Sequence, residues 1–128
     1  MKDIEGDRLR SYEEAPWPDK HIIHENKNIV VYKDGYPVTE GHLLFVPKKN
    51  DVNHVSEAYK LAFYCGEQWI KEGKMDGFNI GQNIGKAAGQ SIMWPHVHLI
   101  PRHEGDSDPK QHNGVRLSAP NGHHINEY

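Results

Sequence analysis

The stretch Gly89-Gln90-Ser91-Ile92-Met93-Trp94-Pro95-His96-Val97-His98-Leu99-Ile100-Pro101-Arg102, read as GQSIMWPHVHLIPR, sets two histidines two residues apart in an apolar run. Alternate residues of a β-strand face the same way. Trp94, His96 and His98 therefore share one face of the predicted strand, and Val97 and Leu99 point the other way into a core. At a rise of about 3.3 Å per residue, the backbones of the two histidines lie about 6–7 Å apart. A strand holds such a pair more rigidly than a loop would.

Working outward, the strand is preceded by the Gly-rich loop Gly85-Lys86-Ala87-Ala88-Gly89, with Gln90 and Ser91 at its exit. Glycines let backbone N–H groups approach a ligand, and a run of such groups forms a nest for phosphate oxygens. The alternating segment Phe78–Asn83 predicts a further strand before the loop. Upstream, Val55, Ala58, Leu61, Ala62, Cys65 and Trp69 fall at steps of three and four. That spacing predicts one helix from Asn53 to about Glu72, capped by Asn53 or Ser56 and ended by Gly73. The segments 21–24, 28–32 and 41–47 read as strands, the last stopped by Pro47. A last short strand is expected within 113–120. The predicted fold class is α+β: an antiparallel sheet of about five strands with one main helix packed on it.

Composition bounds the rest. A chain of 128 residues with 36% hydrophobic residues supports one core, so residues 20–128 read as a single domain and the polar residues 1–19 as an N-terminal arm. No apolar run approaches the roughly 20 residues of a membrane helix. The charged start has no apolar signal-peptide segment, so a soluble, cytoplasmic protein is expected. A net charge of −3 argues against a protein that coats nucleic acid, while leaving room for a small anionic ligand held by local groups. Cys65, the one cysteine, excludes an internal disulfide and a Cys-rich zinc site.

The chemistry suggested by a phosphate nest beside His-x-His is nucleophilic. A neutral imidazole attacks phosphorus well, provided its other ring nitrogen is fixed by an acceptor so that a lone pair faces the substrate. Two plainer readings stand beside this one. The histidines could be a structural pair, or with His42 they could form a three-ligand zinc site. Zinc would leave the loop without a role, and no carboxylate or thiol accompanies the pair along the chain.

The quoted stretch resembles the histidine-triad (HIT) superfamily of nucleotide hydrolases and transferases. That superfamily carries a Gly-Gln-Ser/Thr loop followed by alternating histidines and apolar residues, often ending in Pro-Arg. Aligned on Leu99-Ile100-Pro101-Arg102, His96 and His98 match the second and third histidines of the triad. Trp94 stands where the first would be. The block Asp34–Lys48, with Pro37 and Gly41-His42 before an apolar strand ending in Pro47-Lys48, is similar to the superfamily's other block.

The resemblance covers roughly residues 20–103 and implies the following roles. His96 attacks the α-phosphate, His98 donates to a phosphate oxygen, and His42 buttresses the site from a neighbouring strand. Asp34 binds the ribose hydroxyls, and apolar residues around Tyr32 line a base pocket. Asn83, Gly89, Gln90 and Ser91 hold phosphate. Trp94 is expected at the pocket wall, packing there or stacking on a base. A homodimer with a sheet continuous across the interface is also implied. No resident cofactor or metal is expected, although Mg²⁺ could travel with a polyphosphate substrate. The expected activity is hydrolysis or nucleotidyl transfer on a dinucleoside polyphosphate or nucleoside phosphoramidate. The alternative is a nucleotide sensor or scaffold with little turnover.

Overall fold

The computed structural model describes residues 8–106. Five strands form one antiparallel sheet: β1 (Ile22–Glu25), β2 (Ile29–Lys33), β3 (Leu43–Pro47), β4 (Gly77–Gly81) and β5 (Val97–Arg102). Their order across the sheet is β1-β2-β3-β5-β4. One helix, α1 (Val52–Lys71), packs on the sheet. The expected fold class is therefore the observed one. The strand expected within 113–120 lies outside the described residues. No helix among the described residues is long and apolar enough to cross a membrane.

Helix α1 starts one residue earlier than its spacing suggested, because Asp51 caps it, not Asn53 or Ser56. The Asp51 carboxylate accepts the His54 N–H at 2.8 Å, satisfying a donor that the first turn cannot. Gly73, at φ 74°, takes the left-handed position just beyond the last turn. The buried face carries Ala58 and Ala62, with Leu61, Cys65 and Trp69 packed alongside. It meets Ile29, Val31, Leu43, Phe45, Val97 and Leu99 from three strands. Fully burying each large side chain of this set contributes about 1.5–3 kcal/mol. Gly66 lets the helix approach β4 closely: a Cβ there would lie 2.6–2.8 Å from the Phe78 ring.

The opposite sheet face is covered too. Val30, Tyr32, Leu44, Val46 and Trp94 form a second buried cluster under Leu9, Tyr12, Trp17 and Ile22. The arm is pinned at one end by the Leu9 N–H donating to Met93 O at 3.1 Å. This explains why β2 and β3 are apolar at successive positions, since both of their faces are out of water.

Candidate active site

β5 begins at Val97, so Trp94 and His96 lie just before the strand, still on the face turned away from α1. His96 is buried, 6% exposed, more enclosed than a nucleophile opening into a hollow would be. Its Nδ1 lies 2.6 Å from Trp94 O. A carbonyl only accepts, so Nδ1 carries the proton and the lone pair belongs to Nε2. Nε2 has no hydrogen-bond partner, yet no buried side-chain N or O among the described residues lacks one. The small exposed area of the ring therefore includes Nε2.

A second proton assignment follows from the turn before β3. Asp34 N–H donates to His42 O at 3.0 Å, closing the neck of the β2–β3 hairpin just beyond the Lys33–Leu43 pair. Within that loop, Val38 N–H donates to His42 Nδ1 at 3.0 Å. His42 Nε2 must then hold the proton, and it lies 2.9 Å from His98 Nδ1. His98 accepts on Nδ1 and carries its own proton on Nε2. The chain of donors runs from the Val38 backbone through His42 to His98, ending in an N–H available to a ligand.

Burial lowers the pKa of all three rings. For His42 and His96 desolvation is the largest cause, with the Asp34 carboxylate pulling back upward in both and the Trp94 carbonyl also doing so for His96. His98 falls to about 4, through desolvation and then repulsion from His96 and His42. All three are neutral at pH 7, as a nucleophile and its neutral donor require.

Three cavities are present among the described residues, and one of them is lined by two of these rings. One of about 660 Å³ is lined by His42, His98, Asn83 and Arg102, among others. A second of about 460 Å³ lies beside Tyr32, Trp17 and Tyr12, with Glu13, Asp19 and Glu25 also lining it. His96 lines none of the three; its ring packs 5.1 Å from Trp17, which lines the second, and 5.3 Å from His98, which lines the first. A third, of about 600 Å³, is lined by Gln90, Met93 and Pro95.

The structure thus gathers His42, His96, His98 and Asp34, and brings Asn83 to the same cavity as His98. Tyr32 reaches the second cavity, whose lining carries three carboxylates where an apolar pocket was expected. Gly89 and Ser91 are exposed and line none of the three cavities. Gln90 staples its own loop: Oε1 accepts Gly85 N–H at 2.7 Å and Nε2 donates to Ile92 O at 2.9 Å. Trp94 packs, as the first of its two expected roles had it, but in the core and not at a pocket wall. Its indole is 4% exposed and donates to Pro47 O at 2.8 Å, so it belongs to the core and offers no face for stacking.

Trp17 was missed by the sequence reading. Its signal was a large aromatic between Pro16 and Pro18 in an otherwise polar arm. Also missed was a carboxylate beside the histidines: Asp34 Oδ2 lies 3.3 Å from His42 Nε2 and 3.9 Å from His98 Nδ1. These three atoms lie close enough to converge on a cation. The proton on His42 Nε2 stands against that use, because a metal needs the lone pair there.

The HIT domain family matches residues 18–105. An uncharacterised HIT-like protein of Methanocaldococcus jannaschii is 32% identical over 93 residues, covering 68% of this chain and 72% of that protein. An AP-4-A phosphorylase of Mycobacterium tuberculosis is 32% identical over 95 residues, covering 68% of this chain and 49% of its own length. A zinc-bound histidine triad family protein from Mycobacterium smegmatis superposes with a TM-score of 0.63 at 27% identity, covering 84% of this chain and 80% of that one. With the family match spanning most of its length and the five-stranded sheet and helix in place, the chain belongs to the HIT domain family.

Proposed function

We propose that the chain is a nucleotide hydrolase or nucleotidyl transferase acting at the α-phosphorus of a nucleotide conjugate through a covalent intermediate on His96. The observation that carries this reading is the His96 ring itself: Nδ1 is anchored on Trp94 O, Nε2 is unpartnered, and the ring packs against Trp17 and His98, which line two separate cavities. An α-phosphorus has a nucleoside on one side and a leaving group on the other. The cavity beside Trp17 and Tyr32 suits the nucleoside, and the one at His98 and Asn83 suits the phosphates.

In the first step the Nε2 lone pair attacks phosphorus, the P–N bond forms, and the bond to the leaving group breaks with its electron pair. His98 Nε2–H steadies a non-bridging oxygen. In the second step water attacks, the P–N bond breaks, and its electrons return to Nε2. A proton leaves with the solvent, and a nucleoside monophosphate is released.

Dinucleoside polyphosphates are supported as substrates by the relative named AP-4-A phosphorylase, and nucleoside phosphoramidates share the same α-phosphorus chemistry. No metal takes part through protein ligands, and Mg²⁺ would arrive with a polyphosphate. The edge of β4, unpaired among the described residues, and the exposed Phe63 and Tyr64 on α1 support a homodimer.

The enclosure of His96 under Trp17 favours a second reading, binding without turnover. Rapid mixing with an adenosine phosphoramidate or a dinucleoside polyphosphate, followed by denaturing mass spectrometry, separates the two. Turnover is expected with a nucleotidyl adduct on His96, and His96→Ala is expected to lose at least about a thousandfold in kcat/KM, the scale seen when a nucleophile is removed. Tight binding with no product and no adduct would leave the sensor.

A further inference from the structure

The cavity of about 460 Å³ lies on the sheet face that the arm covers, and its lining is not that of an apolar clamp. Trp17 and Tyr32 pack together in it, ring centroids 5.6 Å apart, and make one aromatic wall. Every base has a π-face, so such a wall holds bases without ranking them. Ranking needs polar groups at the edge of the base, and two are built into the strands.

Tyr32 is 3% exposed, and its hydroxyl has no hydrogen-bond partner among the described residues. No fully buried side-chain N or O there lacks a partner, so this hydroxyl opens into the cavity that Tyr32 lines. Glu25 reaches the same cavity through an irregularity in β1. Ile22 pairs with Tyr32, but the register then shifts, so that His24 meets Val31 and Glu25 meets Val30. In regular alternation Glu25 would oppose Ile29 on the helix side; the extra residue turns it to the face of Val30 and Tyr32. Oε2 of Glu25 accepts from Lys48 Nζ at 2.6 Å, which fixes the carboxylate and leaves Oε1 free to accept. Glu13 and Asp19 add negative charge from the arm. Desolvation first, then Tyr12 and these three carboxylates, raises the Tyr32 pKa, so the hydroxyl keeps its proton and can donate.

We infer that this cavity selects guanine: Glu25 accepts from the N1–H and 2-amino group of the base, and the Tyr32 hydroxyl donates to its O6. The inference rests on the nucleoside occupying this cavity, as in the proposed reaction. A carboxylate only accepts. Guanine sets two donors side by side, next to an acceptor for the phenol. Adenine places an unprotonated N1 beside its amine, and uracil flanks its one N–H with carbonyls, so each turns a lone pair towards Glu25. A site built to hydrogen-bond its ligand rejects analogues that lack the matching groups, because its own polar groups are then left unpaired. The same negative lining repels phosphate, which keeps the two ends of a nucleotide apart.

Equilibrium binding to the full chain tests this without any need for turnover. The 5′-monophosphates of guanosine, inosine, adenosine and uridine are compared by calorimetry; inosine differs from guanosine only in lacking the 2-amino group. Guanosine monophosphate is expected to bind at least about tenfold tighter than each of the others, the scale of one hydrogen bond to a charged acceptor. Glu25→Gln should cut the ratio of guanosine to inosine binding by at least about threefold, since a neutral acceptor makes the weaker bond. Tyr32→Phe keeps the ring in its cluster and should weaken guanosine and inosine alike, leaving adenosine unchanged. Mere damage to the fold would lower all four together.

Equal binding of the four, binding of none, a preference for adenosine, or a guanosine-to-inosine ratio untouched by Glu25→Gln would overturn the inference. The proposed reaction fails separately. A guanosine preference with no adduct on His96 keeps the base site and removes the nucleophile, whereas an adduct with no ranking of bases does the reverse.

Discussion

What position 94 gives to His96 is its backbone carbonyl, not its side chain. A carbonyl is present whatever residue stands there, so the tautomer of the neighbouring ring survives the replacement of a histidine by tryptophan. The indole does something else: it fills the second cluster and ties the start of β5 to the end of β3 through Pro47 O. Trp94→Phe keeps most of the packing and removes that hydrogen bond. The expected cost is about 1–3 kcal/mol in denaturant unfolding, the scale for leaving a buried acceptor unpaired. The kcat of the proposed reaction should stay within a few-fold, and a loss as large as that of His96→Ala would mean the indole itself serves the chemistry. The sequence showed that residue 94 departs from the triad. It could not show which of its two hydrogen-bonding parts mattered, because that depends on where a backbone carbonyl points.

Elements were legible where one periodicity ran long enough. All six residues at steps of three and four from Val55 to Trp69 lie within α1, and five of them lie in or against the helix-side core. Its first residue was not legible, because Asp51, Asn53 and Ser56 are all good caps and only the coordinates choose among them. Nor was the reason for Gly66. In an exposed helix, Gly→Ala gains up to about 1 kcal/mol. Here the added methyl would meet three atoms of the Phe78 ring, which is itself in edge contact with Phe63 at 6.1 Å. Overpacking of this kind costs about 1–3 kcal/mol, so Gly66→Ala should lower stability despite its propensity. Combining it with Phe78→Val should recover part of the loss. A more stable single variant would show that the ring swings aside freely and that the close approach of helix and strand is not required.

At the scale of the molecule, the apolar runs of β2 and β3 already said that both sheet faces are covered, while the periodic pattern supplied a helix for only one. The arm covers the other, using a few aromatics spread through polar sequence, a pattern with no period to detect. It is also what brings Trp17 over His96. Two end strands, β1 and β4, leave a free edge among the described residues, and β4 is the one that packs beside α1. Beside it Phe63 and Tyr64 are 55% and 62% exposed on α1. A free edge next to exposed aromatics invites another strand unless something blunts it, and a second copy pairing β4 with β4 would satisfy both at once. Sedimentation of the wild type is then expected at twice the 14.7 kDa of one chain. Phe63→Asp should return it to the single-chain mass with α1 still folded by circular dichroism, since the residue faces outward. A wild type that sediments as one chain at micromolar concentration would remove the dimer. The reading of His96 as nucleophile would stand, because His42, His96 and His98 lie at β3 and β5, although Asn79, Ile80 and Gly81 of β4 line the cavity assigned to the phosphates.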